Sequence, residues 1–248
     1  MRRAAGLSFL IGILLTASAF AGHPEYLFAQ AVAKYQQADY SAAVELNERL
    51  LKETGVESAA VYFNLGNSYF KQSKLGPAML NYLRAQRLAP RDADIKANLV
   101  FSRQAVEQYE SEKQQKEVSR WVAPFMSLSV GEFKWLTAFV WMLTGLIFLG
   151  LLYGGWPMKR VLLFTGASLV ACIYVTAAFI SYLSDNHGRS VAIKPADARF
   201  EPSEQATVYF KVPEGAEIKA LHSNGDWLKV QRTDGRTGWV PSAAVGEI

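Results

Sequence analysis

Residues 135–184 read WLTAFVWMLTGLIFLGLLYGGWPMKRVLLFTGASLVACIYVTAAFISYLS. Two uncharged runs, Trp135–Met158 and Val161–Ser184, flank a single charged pair, Lys159 and Arg160. A bilayer core of roughly 30 Å needs about 20 helical residues, so each run is long enough to span it. Gly154, Gly155 and Pro157 supply a turn. The stretch predicts a transmembrane hairpin, with helix 1 over 135–158 and helix 2 over 161–184. Cys172 falls mid-span and reads as a small packing residue.

The hairpin divides the chain, and the outer parts are read from it. Residues 1–21 have the form of a secretory signal: Arg2 and Arg3, an apolar core from Leu7 to Leu15, then Ala19-Phe20-Ala21. The positive-inside rule places Arg2, Arg3, Lys159 and Arg160 in the cytoplasm. Residues 22–134 and 185–248 then both lie on the outer face of the membrane. Trp135, Trp141, Tyr153, Trp156 and Tyr182 sit near the span ends, where aromatic rings favour the interface.

The whole chain has 248 residues, 50% hydrophobic and 19% charged, with a formal charge of +4. Its mean hydropathy is +0.05. The topology charges at the signal and the hairpin equal the net excess, so the basic balance records orientation and no nucleic-acid partner is expected. One cysteine and three histidines give no metal-ligand spacing. His187 and His222 read as surface residues. No nucleophile motif, phosphate-binding loop or paired-carboxylate motif occurs. The expectation is a protein with no catalytic residues, cofactor or metal.

Residues 25–117, within a region bounded at 22–118, have helical periodicity and a period near 34. Asn64-Leu65 recurs as Asn98-Leu99, and Ala78 follows Ala43 by 35 positions. The best unit, about 59–92, carries Tyr62, Leu65, Gly66, Tyr69, Ala78, Tyr82, Ala85 and Pro90. Gly66 and Ala78 are small where two antiparallel helices cross. The three tyrosines fill the space around the crossing, and Pro90 ends the second helix. A weaker unit at about 25–53 has Tyr35, Tyr40 and Ala43. Its Tyr35–Tyr40 interval looks one residue short, and no glycine stands at the place equivalent to Gly66. A capping helix from Asp92 to about Glu117 follows. These positions resemble the tetratricopeptide repeat. That resemblance implies a concave groove in which Asn64 and Asn98 face a bound peptide. Asparagine can both donate to and accept from a peptide backbone. The same two residues also read as ordinary solvent-facing polar groups.

Residues 119–134 read as a linker. After Ser184, runs such as SVAIK, ATVYFKV, EIKALH, DWLKVQR and TGWVP alternate with turn residues. Residues 190–248 predict a small all-β barrel. Glu214-Gly215, Asp226-Trp227-Leu228-Lys229-Val230 and Asp234-Gly235-Arg236-Thr237-Gly238-Trp239-Val240 resemble the bacterial SH3 (SH3b) family. Trp227 and Trp239 read either as core residues that close the barrel or as a groove for proline, peptide or sugar.

The fold class expected is thus a multi-domain membrane protein: helical repeats, a two-helix hairpin and an SH3-like barrel. This order, with Tyr62–Arg103, resembles the BatE-like proteins of the Bat (Bacteroides aerotolerance) group. The resemblance implies an envelope scaffold linked to oxidative stress. It also implies partners with von Willebrand A domains and, indirectly, a MoxR-type ATPase. A peptidoglycan-binding anchor or sensor acting through the SH3b domain is the alternative.

Overall fold

The computed structural model describes residues 24–106, 128–154, 157–186 and 188–248. The predicted signal, the predicted continuation of the capping helix beyond 106, His187 and most of the 119–134 linker lie outside them. The first region holds α1 (24–36), α2 (Tyr40–Thr54), α3 (Ala59–Lys71), α4 (Leu75–Leu88) and α5 (Ala93–Ala105). Their starts follow local chemistry. Asp39 accepts from Ala42 N at α2, and Asp92 accepts from Asp94 N and Ile95 N at α5, satisfying first-turn amides that have no helical acceptor. Gly55 ends α2 in the left-handed region at φ 63°.

The α1–α2 and α3–α4 turns have the same backbone. Ala38 and Ser73 both take a left-handed φ, 61° and 60°. Ala38 N donates to Tyr35 O as Ser73 N does to Phe70 O; Asp39 N donates to Lys34 O as Lys74 N does to Tyr69 O. The first turn is therefore not one residue short. Counting from the turns pairs Tyr35 with Phe70, and it places Ala31, 1% exposed, at the position of Gly66. A second small residue thus stands at the place equivalent to Gly66. Leu27, Leu50, Tyr62, Leu65, Ala78, Met79, Tyr82, Leu83, Ile95 and Leu99 form the helical core.

The hairpin is α6 (Val130–Tyr153) and α7 (Met158–Asn186). Both extend past the predicted spans at their soluble ends; α7 is longer than its span, whereas α6 keeps the predicted length and stops at Tyr153, five residues before Met158. A capping box, Ser129 with Glu132, starts α6 five residues early. Lys159 and Arg160 lie in the first turn of α7 rather than in a loop. The two helices pack on each other. Phe133, fully buried, meets Phe179 and Tyr182. Trp141 Nε1 donates to Thr176 Oγ1 at 3.2 Å, and Thr144 Oγ1 lies 2.8 Å from Ser168 Oγ and 3.0 Å from Cys172 Sγ. Cys172 is thus buried in a polar seam between the helices. Elsewhere the pair exposes Phe139, Leu146, Phe148, Leu162 and Ile173. Both helices are long and apolar enough to cross a membrane.

The last region is a seven-stranded antiparallel sheet. Its strands are β1 (Arg189–Ala192), β2 (Ala196–Arg199), β3 (Val208–Val212), β4 (Glu217–Asn224), β5 (Trp227–Arg232), β6 (Thr237–Pro241) and β7 (Val245–Glu247). They are ordered β3-β2-β6-β5-β4-β1-β7. β2 and β7 are additional to the strand runs read from sequence. Ala192, Ala198, Phe210, Val212, Ala216, Ile218, Val230 and Val240 form the sheet core. Trp227 and Trp239 are only half-buried and lie outside that set. Phe210 with small and β-branched side chains, rather than the two indoles, fills the centre.

The helices and the sheet share packing. Val191 of β1, fully buried, belongs to the helical core, and Ile193 and Ile248 pack against it. α4 carries the contact on one side, β1 and β7 on the other.

Candidate interaction surfaces

Two surfaces follow from the named residues, and a third from the packing. In the helical region, Asn64 is half-buried on α3, and Asn98 is half-buried on α5. Asn98 Nδ2 donates to Asn67 Oδ1 at 3.1 Å. The same oxygen accepts from Tyr82 Oη at 2.7 Å. Asn67, not read from sequence as special, is therefore the hub that ties α3, α4 and α5. One oxygen with two lone pairs takes two donors. The Asn98 amide is turned toward this bond, so it is not an idle surface group.

The repeat-packing residues surround that hub. Gly66 lies against Tyr82: a Cβ there would fall 2.5 Å from ring atoms Cδ1 and Cε1. Tyr82 is 2% exposed, and burial pushes its hydroxyl pKa well up. Tyr62 Oη donates to Glu57 Oε1 at 3.2 Å, and Arg87 pairs with the same carboxylate. Burial, then the Glu57 charge, raises the Tyr62 pKa. Tyr69 Oη donates to Glu48 Oε1 of α2 at 2.5 Å, and burial followed by that bond raises its pKa. Leu65, Ala78 and Ala85 are buried. Pro90 follows the end of α4 at Leu88. Phe70 and Phe101 make a ring contact at 5.5 Å, with Phe101 exposed.

On the sheet, Trp239 is paired across strands with Lys229 and Arg199. Lys229 Nζ stands 5.9 Å over its ring, and His222 meets it edge-on at 6.3 Å. Trp227 pairs with Asn224 and Pro241. The register places both indoles on one face, two residues apart along their strands. A half-exposed aromatic with a lysine over its ring can stack on a planar or sugar ligand and hold an acidic group. Phe200 and Tyr209, 4.6 Å apart and exposed, make a separate patch that the sequence pattern did not single out.

The third surface is internal. Gly76 N donates to Glu214 Oε1 at 2.9 Å. A Cβ on Gly76 would fall 2.6 Å from Ile193 Cα and 2.7 Å from Ala192 O. One on Gly246 would fall 2.5 Å from Leu80 Cδ2. Arg84 donates twice to Glu247 O, at 3.2 and 2.7 Å. Arg103 of α5 reaches Glu217 of β4 at 2.7 Å, and Arg189 reaches the same carboxylate at 3.2 Å. Burial by itself would raise the Glu217 pKa. The two guanidiniums outweigh it and hold the carboxyl below the ordinary value. None of the helix-to-sheet contacts has a local sequence signal, since each joins positions over a hundred residues apart.

A shallow cleft between α1 and α2, lined by Gln30, Ala33, Lys34, Ala42, Glu45 and Leu46, involves none of the candidate residues. No curated protein matches the chain. Residues 196–246 match the family model described as the bacterial SH3 domain. The sheet extends this match by one strand, since β1 starts at Arg189. That part of the chain is a bacterial SH3 domain.

Proposed function

We propose that the protein is a non-enzymatic inner-membrane scaffold that presents two binding modules on one face of the membrane. In this reading α1–α5 are two tetratricopeptide units and a capping helix, α6 and α7 span the bilayer, and the SH3 domain is the second module. The observation that carries it is the contact across the hairpin. Gly76 and Arg103 precede α6, Glu214 and Glu217 follow α7, and the two sides are hydrogen-bonded. Residues that touch directly lie on the same side of any membrane the hairpin crosses. The positive-inside rule then makes that side periplasmic.

The scaffold reading extends to a BatE-like role in a Bat-type envelope complex for oxidative-stress tolerance. Its expected partners carry von Willebrand A domains, with a MoxR-type ATPase as an indirect one. In vivo crosslinking followed by detergent-solubilised pull-down of the full chain is expected to recover membrane proteins with von Willebrand A domains. Recovery of none would remove the complex from the reading. Asn64, Asn98 and the exposed Phe101 mark the helical surface where a peptide would lie.

The half-exposed Trp239, with Lys229 over its ring, favours a second reading: an anchor or sensor that binds peptidoglycan. Full-length protein in detergent is then expected to sediment with purified sacculi, and Trp239→Ala to abolish this. Sedimentation untouched by that change would place any wall contact elsewhere.

A further inference from the structure

α4 and β1 give two independent rulers for the direction of the membrane. β1 starts at Arg189, directly after α7, which ends at Asn186. β4 runs antiparallel to β1, with Lys219 opposite Arg189 and Ala220 N donating to Gly188 O. The next residues of β4, Leu221 to Asn224, therefore have no β1 partner. They continue past the junction, back toward the end of α7. At roughly 3.3 Å per residue the four extend about 13 Å.

α4 points the same way. Gly76 lies at Ala192 and Ile193, Leu80 at Gly246, and Arg84 at Glu247. Just beyond its end, Arg91 pairs with Glu132 in the first turn of α6 at 2.7 Å. The helix thus descends along the sheet and arrives where the hairpin begins. The end of the sheet that holds the β4–β5 turn is the end from which α6 and α7 emerge.

The tip suits a lipid surface. A bulge between Ala220 and His222 leaves Leu221 47% exposed. Trp227 is half-exposed and Pro241, opposite it, is exposed. Ser242 N donates to Asp226 O at 2.8 Å, which ties the turn to the end of β6. The polar groups at the tip are His222, Ser223, Asn224, Asp226 and Lys229. Both charge signs are present, which fits a headgroup layer better than a purely anionic partner. Indole rings with polar neighbours favour that layer.

Resting on the reading that α6 and α7 cross the bilayer, we infer that the β4–β5 hairpin tip of the SH3 domain, with Leu221 and Trp227 foremost, seats in the lipid headgroup layer beside α7. The hairpin then acts as a foot that holds the soluble unit at a fixed tilt on the membrane. Its opposite end, the Asp234–Arg236 turn, points away from the lipid.

The test uses full-length protein carrying Cys172→Ser, with one added cysteine, reconstituted in phosphatidylcholine nanodiscs and labelled with an environment-sensitive fluorophore. Leu221→Cys reports the tip, Arg236→Cys the far turn, and Ile147→Cys the span. Lipids carry a nitroxide at the headgroup or at mid-chain. The expected result is loss of emission at Leu221→Cys with headgroup nitroxide, no loss at Arg236→Cys, and loss at Ile147→Cys with mid-chain nitroxide. Emission at Leu221→Cys as unaffected as at Arg236→Cys, or quenching equal at both, overturns the inference while a quenched Ile147→Cys leaves the spans standing. An unquenched Ile147→Cys overturns the spans and the inference together.

Discussion

At the scale of single residues, the helical region turns on small side chains and one amide. Gly66 has no room for a methyl group, because the ring it would meet is buried and tied through its hydroxyl to Asn67. Gly66→Ala is expected to destabilise the protein by about 1–3 kcal/mol, read as a lower urea midpoint. An unchanged midpoint would remove the close crossing. Asn67→Ala strips an acceptor from both Tyr82 and Asn98, leaving a part-buried hydroxyl without its partner. A loss of about 1–3 kcal/mol is expected, and Tyr82→Phe in the same background should return part of it. The sequence pattern picked out Gly66 and Tyr82 because both sit at spaced, apolar-periodic positions. It passed over Asn67 because a single asparagine looks the same whether it faces water or joins three helices. Trp227 and Trp239 show the converse limit: large aromatics are usual core residues, yet here their strands turn them outward.

At the scale of elements, ends and edges carry the chemistry. α6 begins at a capping box, which the Arg91–Glu132 pair reinforces. The Glu132 carboxylate accepts from both the Ser129 N–H and the Arg91 guanidinium. Between β4 and α5 the Glu217 carboxylate lies between two guanidiniums. Its folded pKa is below the ordinary 4.5, so its contribution is complete at neutral pH. It is lost as pH falls from about that value through the lower folded one. Glu217→Gln is expected to lower the melting temperature at pH 7 and to flatten the acid limb of stability against pH. Equal acid limbs in the two proteins would show that the triad does not couple α5 to the sheet. The repeated turns at Ala38 and Ser73 show how a one-residue misreading arises. Tyr35 resembles Tyr69 chemically, but the backbone pairs it with Phe70. Turn geometry, not side-chain likeness, sets the register.

At the scale of the whole molecule, α4 belongs to two structures at once. One side packs on α3 and α5, the other on β1 and β7. Gly76→Val is expected to separate the SH3 sheet from the helices, because its Cβ would meet backbone atoms that cannot swing aside. In full-length protein, a cysteine pair at Arg103 and Glu217 then crosslinks readily in the parent and poorly in the Gly76→Val background. Crosslinking at the parent level would mean that the interface does not depend on Gly76. The hairpin was legible in the sequence because its signal is local: two uncharged runs around Lys159 and Arg160 decide it by length and composition alone. The SH3 domain was legible for a similar reason, its turns and alternating strands being short-range patterns, and residues 196–246 match that family. The helical periodicity of residues 24–106 was equally plain. How these parts meet is set only in the folded chain. Gly76 with Glu214, Arg84 with Glu247 and Arg103 with Glu217 are contacts between segments separated by the entire hairpin. A glycine made small for a distant backbone carries the same letter as one made small for a turn. Hydropathy and spacing report on neighbours along the chain, whereas docking depends on complementary shapes and charges that come together only after the hairpin returns.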